Sequence, residues 1–455
     1  DFFTDGSNLS KGYLKNLASV DGNPAIVTDM VNETWTATDL RCNFLGLGAG
    51  CETHDVNSIN AHFNHFAGLS AFGFNTENYD DYISSADVAN AGNGIPVLQN
   101  SLSYSIGCHA GLNVPDGSAY LADLFVGEFD PNLDFPQAMA QQKAVFIVST
   151  GYGLGDDEGI AGTELLMAIF SEKLLAGGEI GALLASSKRK LVNDASSMDV
   201  YIEKSSIQTT LYGLPMWKVA PSAAQMNPPL SPYVSTPVTN FSLMVDDGGV
   251  ITTTHTIERV DVDPLPGSTN NRTFYTASGD SQVTAWRPIQ PKVVVDVTDT
   301  ADPVHGVLVT GGDYSYLGDM GSFYPVISKP RQEWAREDNE NPACVNAFWP
   351  STLASINTYD GANEFAQSLI VLPGQFRCSS GDVADIFGIQ RIFNSLDVQI
   401  LRSILGFEND FIQPTISEID FRNNDDGSLR VNVNAVDDSC ISQIVLLLIK
   451  NGLIT

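Results

Sequence analysis

The apolar positions in the first half of the chain switch repeatedly between two periods. Helical spacing predicts helices over 35–45, with Thr34 or Thr36 as cap, over 134–142, over 163–176 and over 180–191. The last closes with Lys188, Arg189 and Lys190, charges that suit a helix C-terminus. Strand patterns lie between them. Residues 55–62 alternate with period two and end at His62, and 96–106 run as a buried strand into Gly107 and Cys108. Residues 144–150 form a β-branched run typical of a parallel strand buried on both faces. The glycine-rich acidic stretch 151–158 then reads as a flexible loop, and 208–219 as a last strand. Such alternation predicts a parallel sheet flanked by helices.

The character changes after Ala220. Pro221, Pro228, Pro229, Pro232 and Pro237 predict a stiff, extended linker. From 238 to 412 strand and turn signals dominate, notably over 250–260, 274–277, 293–297 and 306–310. Their order does not single out a topology. Pro414 opens a third group of strands, 416–421, 429–436 and 441–448. That spacing suits an immunoglobulin-like sandwich whose later strands are absent. The expected organisation is therefore 1–222, a β-rich 223–412, and 413–455.

A chain of 455 residues has room for two or three such cores. Its 54 acidic and 23 basic residues give a net charge of −31. A surface this acidic argues against nucleic acid and anionic membranes as partners. It suits an extracellular, salt-rich or calcium-rich setting. No apolar run is long enough to span a bilayer. Six cysteines are too few for a disulfide scaffold. Cys42 and Cys51 flank a glycine-rich loop that a bridge can close, and Cys344 and Cys378 can pair in the second domain; sequence alone decides neither. Without CxxC or paired histidines on a helix, no zinc site is expected. The chain opens at Asp1 with no Met and no signal peptide, and 451–455 reads as the middle of a strand or turn, so it is expected to be a piece of a longer precursor, either processed or only partly observed.

Cys108 sits where a strand gives way to a glycine-flanked turn, and strand ends are where an α/β sheet presents its reactive side chains. Gly107 and Gly111 permit the close approach that a substrate chain or an oxyanion needs. A thiol becomes a nucleophile when a base takes its proton or its surroundings favour the thiolate. His54, His62, His65 and His109 are the histidines of the first domain; His255 and His305 have no accompanying motif and read as structural. His62 ends one strand and Cys108 another. If those strands are parallel neighbours, both side chains emerge at one edge, as a Cys–His dyad requires. His65 is the rival base, and the side chain of His109 is expected to diverge from the thiol.

Four blocks follow in order: 59–65 (INAHFNH), 105–112 (SIGCHAGL), 149–156 (STGYGLGD) with 163–167 (TELLM), and 210–217 (TLYGLPMW). With this order and spacing, residues 1–222 resemble the gingipain-like cysteine peptidases, relatives of caspases and legumains. The resemblance implies an α/β caspase-like sandwich, followed here by β-rich domains, the last immunoglobulin-like and truncated. It implies Cys108 as nucleophile and His62 as proton carrier, with an oxyanion held by backbone N–H groups near Gly107 and at Phe63. Many members carry Gly directly after the histidine; Phe63 stands here and offers only its N–H. The resemblance also sets Asp1 inside the domain, so an upstream strand and any group orienting the histidine are expected elsewhere in the precursor. Gingipains proper cleave after Arg or Lys with an acidic pocket, for which Asp156, Asp157 and Glu158 are candidates. The plainer reading of those three is a solvated acidic loop. They, or Asp261, Asp263 and Asn270, are also the oxygen ligands a structural calcium would use, although no EF-hand loop is present. No cofactor is required, and no metal ligand set is defined.

The expected function is thus a secreted or cell-surface cysteine endopeptidase acting on a protein or peptide substrate through a Cys–His dyad. The alternative is a catalytically silent structural or adhesive surface or filament protein on a caspase-like scaffold. Its partners would be other fragments of its own precursor or further copies in a homopolymer, joined through unpaired strand edges.

Overall fold

A computed structural model of the chain describes residues 2–17, 28–113, 133–219, 235–246, 251–317, 323–332, 344–361, 364–381, 386–402, 415–424, 426–437, 449–450 and 453–454. They form a mixed α/β protein with several sheets and, among the described residues, eight helices. The chain divides into two compact units. One comprises Asp1–Val234, Val283–Ile289 and Val326–Ala343; the other comprises Ser235–Gln282, Gln290–Pro325 and Cys344–Thr455. The first unit therefore extends past 222 and takes in Val283–Ile289 and Val326–Ala343 from the 223–412 region.

The first unit runs α1 (Phe2–Leu14), α2 (Ala37–Leu45), β1 (Val56–Ser58), β2 (His62–Phe63), β3 (Ala67–Leu69), α3 (Ala71–Asn75), β4 (Tyr82–Ser84), α4 (Ser85–Asn90), β5 (Leu102–Tyr104), α5 (Phe135–Gln141), β6 (Val145–Ser149), β7 (Leu154–Asp156), α6 (Gly162–Leu174), β8 (Gly178–Glu179), α7 (Ile180–Asn193), α8 (Val200–Gln208), β9 (Thr209–Tyr212) and β10 (Lys218–Val219). The central sheet has the order β1-β5-β6-β9. Its first three strands are parallel and β9 is antiparallel. All five residues of β6 are buried, because period two sends its side chains into two different cores. Val145 and Ile147 join Leu102, Tyr104, Leu166, Phe170 and Ile180 on one side. Phe146 and Val148 join Phe44, Phe135 and Met139 on the other. Helices thus cover both faces, with α6 and α7 opposite α2 and α5. Each fully buried Leu, Ile or Phe contributes about 1.5–3 kcal/mol, so the sheet is held from both sides. Thr36 and Asp134 start α2 and α5 with capping boxes, closed by Asp39 and Gln137.

Three strand expectations change. Of the strand expected over 96–106, only Leu102–Tyr104 forms β5, and 97–100 are turns and bends. The alternation over 55–62 stays in the central sheet only to Ser58; His62 opens β2 of a separate antiparallel sheet, β2-β3-β4. Residues 208–219 do not form one strand. Asp199 accepts from the N–H groups of Tyr201 and Ile202 and starts α8, leaving β9 four residues.

The second unit is β-rich. Its largest sheet has the order β13-β12-β11-β22-β17, with β21 also on β22. These strands are β11 (Ser235–Asp246), β12 (Ile251–Val262), β13 (Arg272–Ala277), β17 (Val304–Leu317), β21 (Gly374–Ser380) and β22 (Phe387–Arg402). Pro237, expected in the linker, lies in β11 at a register shift, the kind of site where a strand tolerates proline. The rest of that linker, 221–234, lies outside the described residues. Of the expected sandwich, the described residues form the hairpin β23 (Thr415–Asn423) with β24 (Leu429–Val436) and the short antiparallel pair Ile449–Lys450 with Leu453–Ile454. The strand expected over 441–448 lies outside the described residues. Disulfides join Cys42 to Cys51 and Cys344 to Cys378. Among the described residues no helix is long and apolar enough to cross a membrane.

Candidate active site

The Cys108 loop is stitched to the exit of the neighbouring strand. Past β5 the ladder continues with Ser105 N–H donating to the Ile147 carbonyl at 3.0 Å. The chain then turns, and His109 takes φ 54°, a left-handed value uncommon for a residue with a Cβ. Its N–H thereby reaches the Gly151 carbonyl at 2.7 Å, while Gly111 N–H donates to the Ser149 carbonyl at 2.9 Å. The Tyr212 hydroxyl donates to the Gly111 carbonyl at 2.5 Å. Cys108 belongs to neither disulfide and is 1% exposed. Its Sγ accepts the Gly153 N–H at 2.9 Å and lies 3.8 Å from the Gly153 carbonyl. An N–H aimed at sulfur favours negative charge there.

The segment carrying His62 lies directly alongside. Because β1 pairs parallel with β5, the chain leaving β1 continues beside the chain leaving β5. Ile59 N–H donates to the Tyr104 carbonyl at 2.9 Å, and Ile106 N–H to Asn60 Oδ1 at 3.2 Å. Gly107 makes the next step of this approach possible. A Cβ there would stand 2.8 Å from the Ala61 carbonyl oxygen and 2.4 Å from Phe63 Cδ2. The residues on either side of His62 therefore pack on the residue before Cys108. The Phe63 ring turns inward onto Phe135, with centroids 5.2 Å apart. The half-buried His62 ring stacks on Phe74 at 3.9 Å.

His65 occupies a different environment. It is 1% exposed, packs on Phe66, and neither ring nitrogen has a hydrogen-bond partner. Burial, with His109 nearby, pulls its pKa down to about 4. At neutral pH it is an uncharged and weak base. The Gly107 N–H, an oxyanion candidate from the sequence, donates to Ser105 Oγ at 2.9 Å.

The acidic stretch is not a solvated loop. All three residues of β7 are buried, and β7 pairs antiparallel with Pro330–Gln332, which is β18 in chain order and part of the same unit. Asp156 Oδ2 accepts from Ser328 Oγ at 2.5 Å. Its Oδ1 accepts the N–H groups of Glu158 at 3.0 Å and Lys329 at 3.2 Å. Burial nevertheless pushes its pKa up to about 7. Glu158 pairs with Lys329 Nζ at 3.1 Å, and Asp157 pairs with Arg331. Buried Glu164, on α6, accepts the Gly6 N–H at 2.6 Å through Oε1. Burial raises its pKa well above the usual carboxylate range. In the second unit Asp261 accepts from Arg259 and Thr273, and the Asp263 carbonyl accepts from Arg272. Among the described residues no group of three or more His, Cys, Asp or Glu is placed to hold a metal ion. Ser328, Lys329 and Arg331 escaped the sequence reading. They lie over 170 residues from their partners, and their one local signal is a pair of bases in a chain poor in them.

No protein-family model matches the chain, and no curated protein matches it. Among solved structures it is similar to one concerned with zymogenic latency of gingipain K from Porphyromonas gingivalis, at 14% identity and a TM-score of 0.23, covering 33% of this chain and 86% of that one. It is also similar to a complex of the pro- and mature domains of Porphyromonas gingivalis RgpB, at 13% identity and a TM-score of 0.21, covering 34% and 88%. Likeness at this level leaves the functional case to the geometry of the site.

Proposed function

We propose that the first unit is a cysteine endopeptidase of gingipain-like type on a caspase-like α/β scaffold, with Cys108 as nucleophile and His62 as proton carrier. One observation carries this reading: the chain leaving β1 packs, through Ala61 and Phe63, on Gly107, while the adjoining thiol receives a backbone N–H from Gly153. His62 would take the thiol proton as sulfur attacks the scissile carbonyl, and return it to the leaving amine. Water then hydrolyses the thioester. The two disulfides support secretion into an oxidising compartment or display at the cell surface. The acidic surface suits a protein substrate rather than nucleic acid.

The test is hydrolysis of denatured protein by the full chain. Cys108→Ala is expected to abolish cleavage with an unchanged circular dichroism spectrum. His62→Ala is expected to lower kcat by about 10²-fold or more, whereas His65→Phe should keep most activity. Cleavage by Cys108→Ala at the normal rate would exclude the mechanism. A second reading, a structural or adhesive protein, is favoured by the β23–β24 hairpin. Ile419 and Phe421 are 50% and 61% exposed, on the face they share with Val431 and Val433. Concentration-dependent assembly that Phe421→Ser abolishes, together with an inert Cys108, would favour that reading.

A further inference from the structure

The thiol's N–H donor, Gly153, immediately precedes β7, and among the described residues the strand neighbour of β7 is β18. Pro330, Arg331 and Gln332 stand opposite Asp156, Gly155 and Leu154. β18 therefore runs toward Gly153, and Gln332 ends one residue short of it. At the far end the pairing is fastened by a buried group. Asp156 holds Ser328 Oγ and Lys329 N–H, and Asp157 N–H donates back to the Lys329 carbonyl at 3.1 Å. Ser328 N–H in turn donates to the Arg287 carbonyl at 2.9 Å, which ties in the other returning segment of the unit. Gly153 has little freedom on its own side. A Cβ there would lie 2.0 Å from the Ile106 carbonyl oxygen. A shift of β7 would therefore be felt at the sulfur.

We infer that the Asp156–Ser328 pair is a positioning device for the nucleophile. By fixing β7 against a strand whose Ser328 lies 172 residues downstream of Asp156, it sets the Gly153 N–H on the Cys108 sulfur. The inference rests on Cys108 being the reactive thiol, but not on peptide hydrolysis itself. Asp156 faces Glu164 on α6, Asp157 and Glu158 in its own turn, and Lys329 on the strap. His109 and Tyr152, which adjoin Cys108 and Gly153 in the chain, meet ring edge to ring face.

Breaking the latch should make Cys108 a poorer nucleophile without unfolding the unit. The measurement is the rate of Cys108 alkylation by iodoacetamide against pH on the full chain, followed by peptide mapping. Ser328→Ala should lower the neutral-pH rate roughly threefold to tenfold, the size of one lost hydrogen bond, and move the profile to higher pH. Ser328→Thr, which keeps the hydroxyl, should restore both. Arg331→Ala removes a partly exposed ion pair with Asp157 and should change neither. An unchanged profile in a folded Ser328→Ala protein would overturn the inference, and so would faster alkylation, which would make the strap a cover rather than a support. Hydrolysis is not needed for this readout. A protein that fails to cleave peptides but shows the latch effect would lose the peptidase reading and keep this one.

Discussion

Asp156 is an acid placed where ionisation is costly, and this gives stability a pH dependence with a definite sign. Its pKa is raised from 3.8 to about 7 by burial, with Asp157 adding and three hydrogen bonds opposing. A carboxyl with a raised folded pKa keeps its proton in the folded state after the unfolded chain has lost it. The favourable contribution is complete below about pH 4 and is lost as pH rises through about 7. A shift of that size corresponds to about 4 kcal/mol. Asp156→Asn is therefore expected to flatten the fall in thermal stability between pH 5 and pH 8. The check is the difference in Tm between those two pH values for variant and parent. An equally steep fall in both would assign the dependence to another group, Glu164 first. Sequence could not have shown this. Asp156, Asp157 and Glu158 are the same kind of run whether solvated or buried, and what separates them is Ser328 and Lys329, far along the chain. The place of Cys108 just past the end of β5 was legible because glycine on both sides of a strand-ending cysteine is a local signal. The environment of His65 was not, because burial is set by how β2 turns away from the sheet.

At the scale of elements, the site depends on two close backbone approaches that only glycine allows. Gly107 lies under Ala61 and Phe63, and Gly153 lies against the Ile106 carbonyl. Neither needs a left-handed backbone; both need the missing Cβ. The obstacle at Gly107 is partly an aromatic ring that can shift, whereas at Gly153 it is backbone, which cannot move cheaply. Gly153→Ala is therefore expected to be the more damaging change, at about 1–3 kcal/mol of stability, with the larger loss of Cys108 alkylation. Chemical denaturation and alkylation rates of the two variants test the order; a milder effect at Gly153 would contradict it. The elements themselves were legible where two signals agreed. α2 and α5 begin at side-chain caps that also precede apolar spacing, and β6 is β-branched and fully buried. They were illegible where signals conflicted. The helix α1 carries Gly6 and Gly12, which argue against a helix, and Gly6 is there because Glu164 packs on its Cα. β7 and β18 have three residues each, too few for any period to register.

For the whole molecule, the dominant long-range force is self-repulsion. With 54 acidic groups against 23 basic ones, most carboxylates have no cation to pair with. Among the described residues most ion pairs leave at least one partner exposed, such as Lys218–Glu179 and Arg422–Asp420, and an exposed pair is worth about 0–1 kcal/mol. Salt weakens those few attractions and also the far more numerous repulsions. The repulsions act over a screening length that falls from about 30 Å at 0.01 M to about 3 Å at 1 M. Repulsion should dominate the balance, so Tm is expected to rise by several degrees between 0.01 and 0.5 M sodium chloride. The same titration tests a structural calcium. Of the residues first considered for it, which also include Asp263 and Asn270, Asp156, Asp157, Glu158 and Asp261 each already accept hydrogen bonds or ion pairs from neighbouring side chains. If screening is the whole effect, calcium chloride at matched ionic strength should raise Tm no more than the sodium salt does. A calcium-specific increase that saturates at millimolar concentration would instead require a bound ion. A fall in Tm with sodium chloride would mean that the ion pairs, not the excess charge, govern stability.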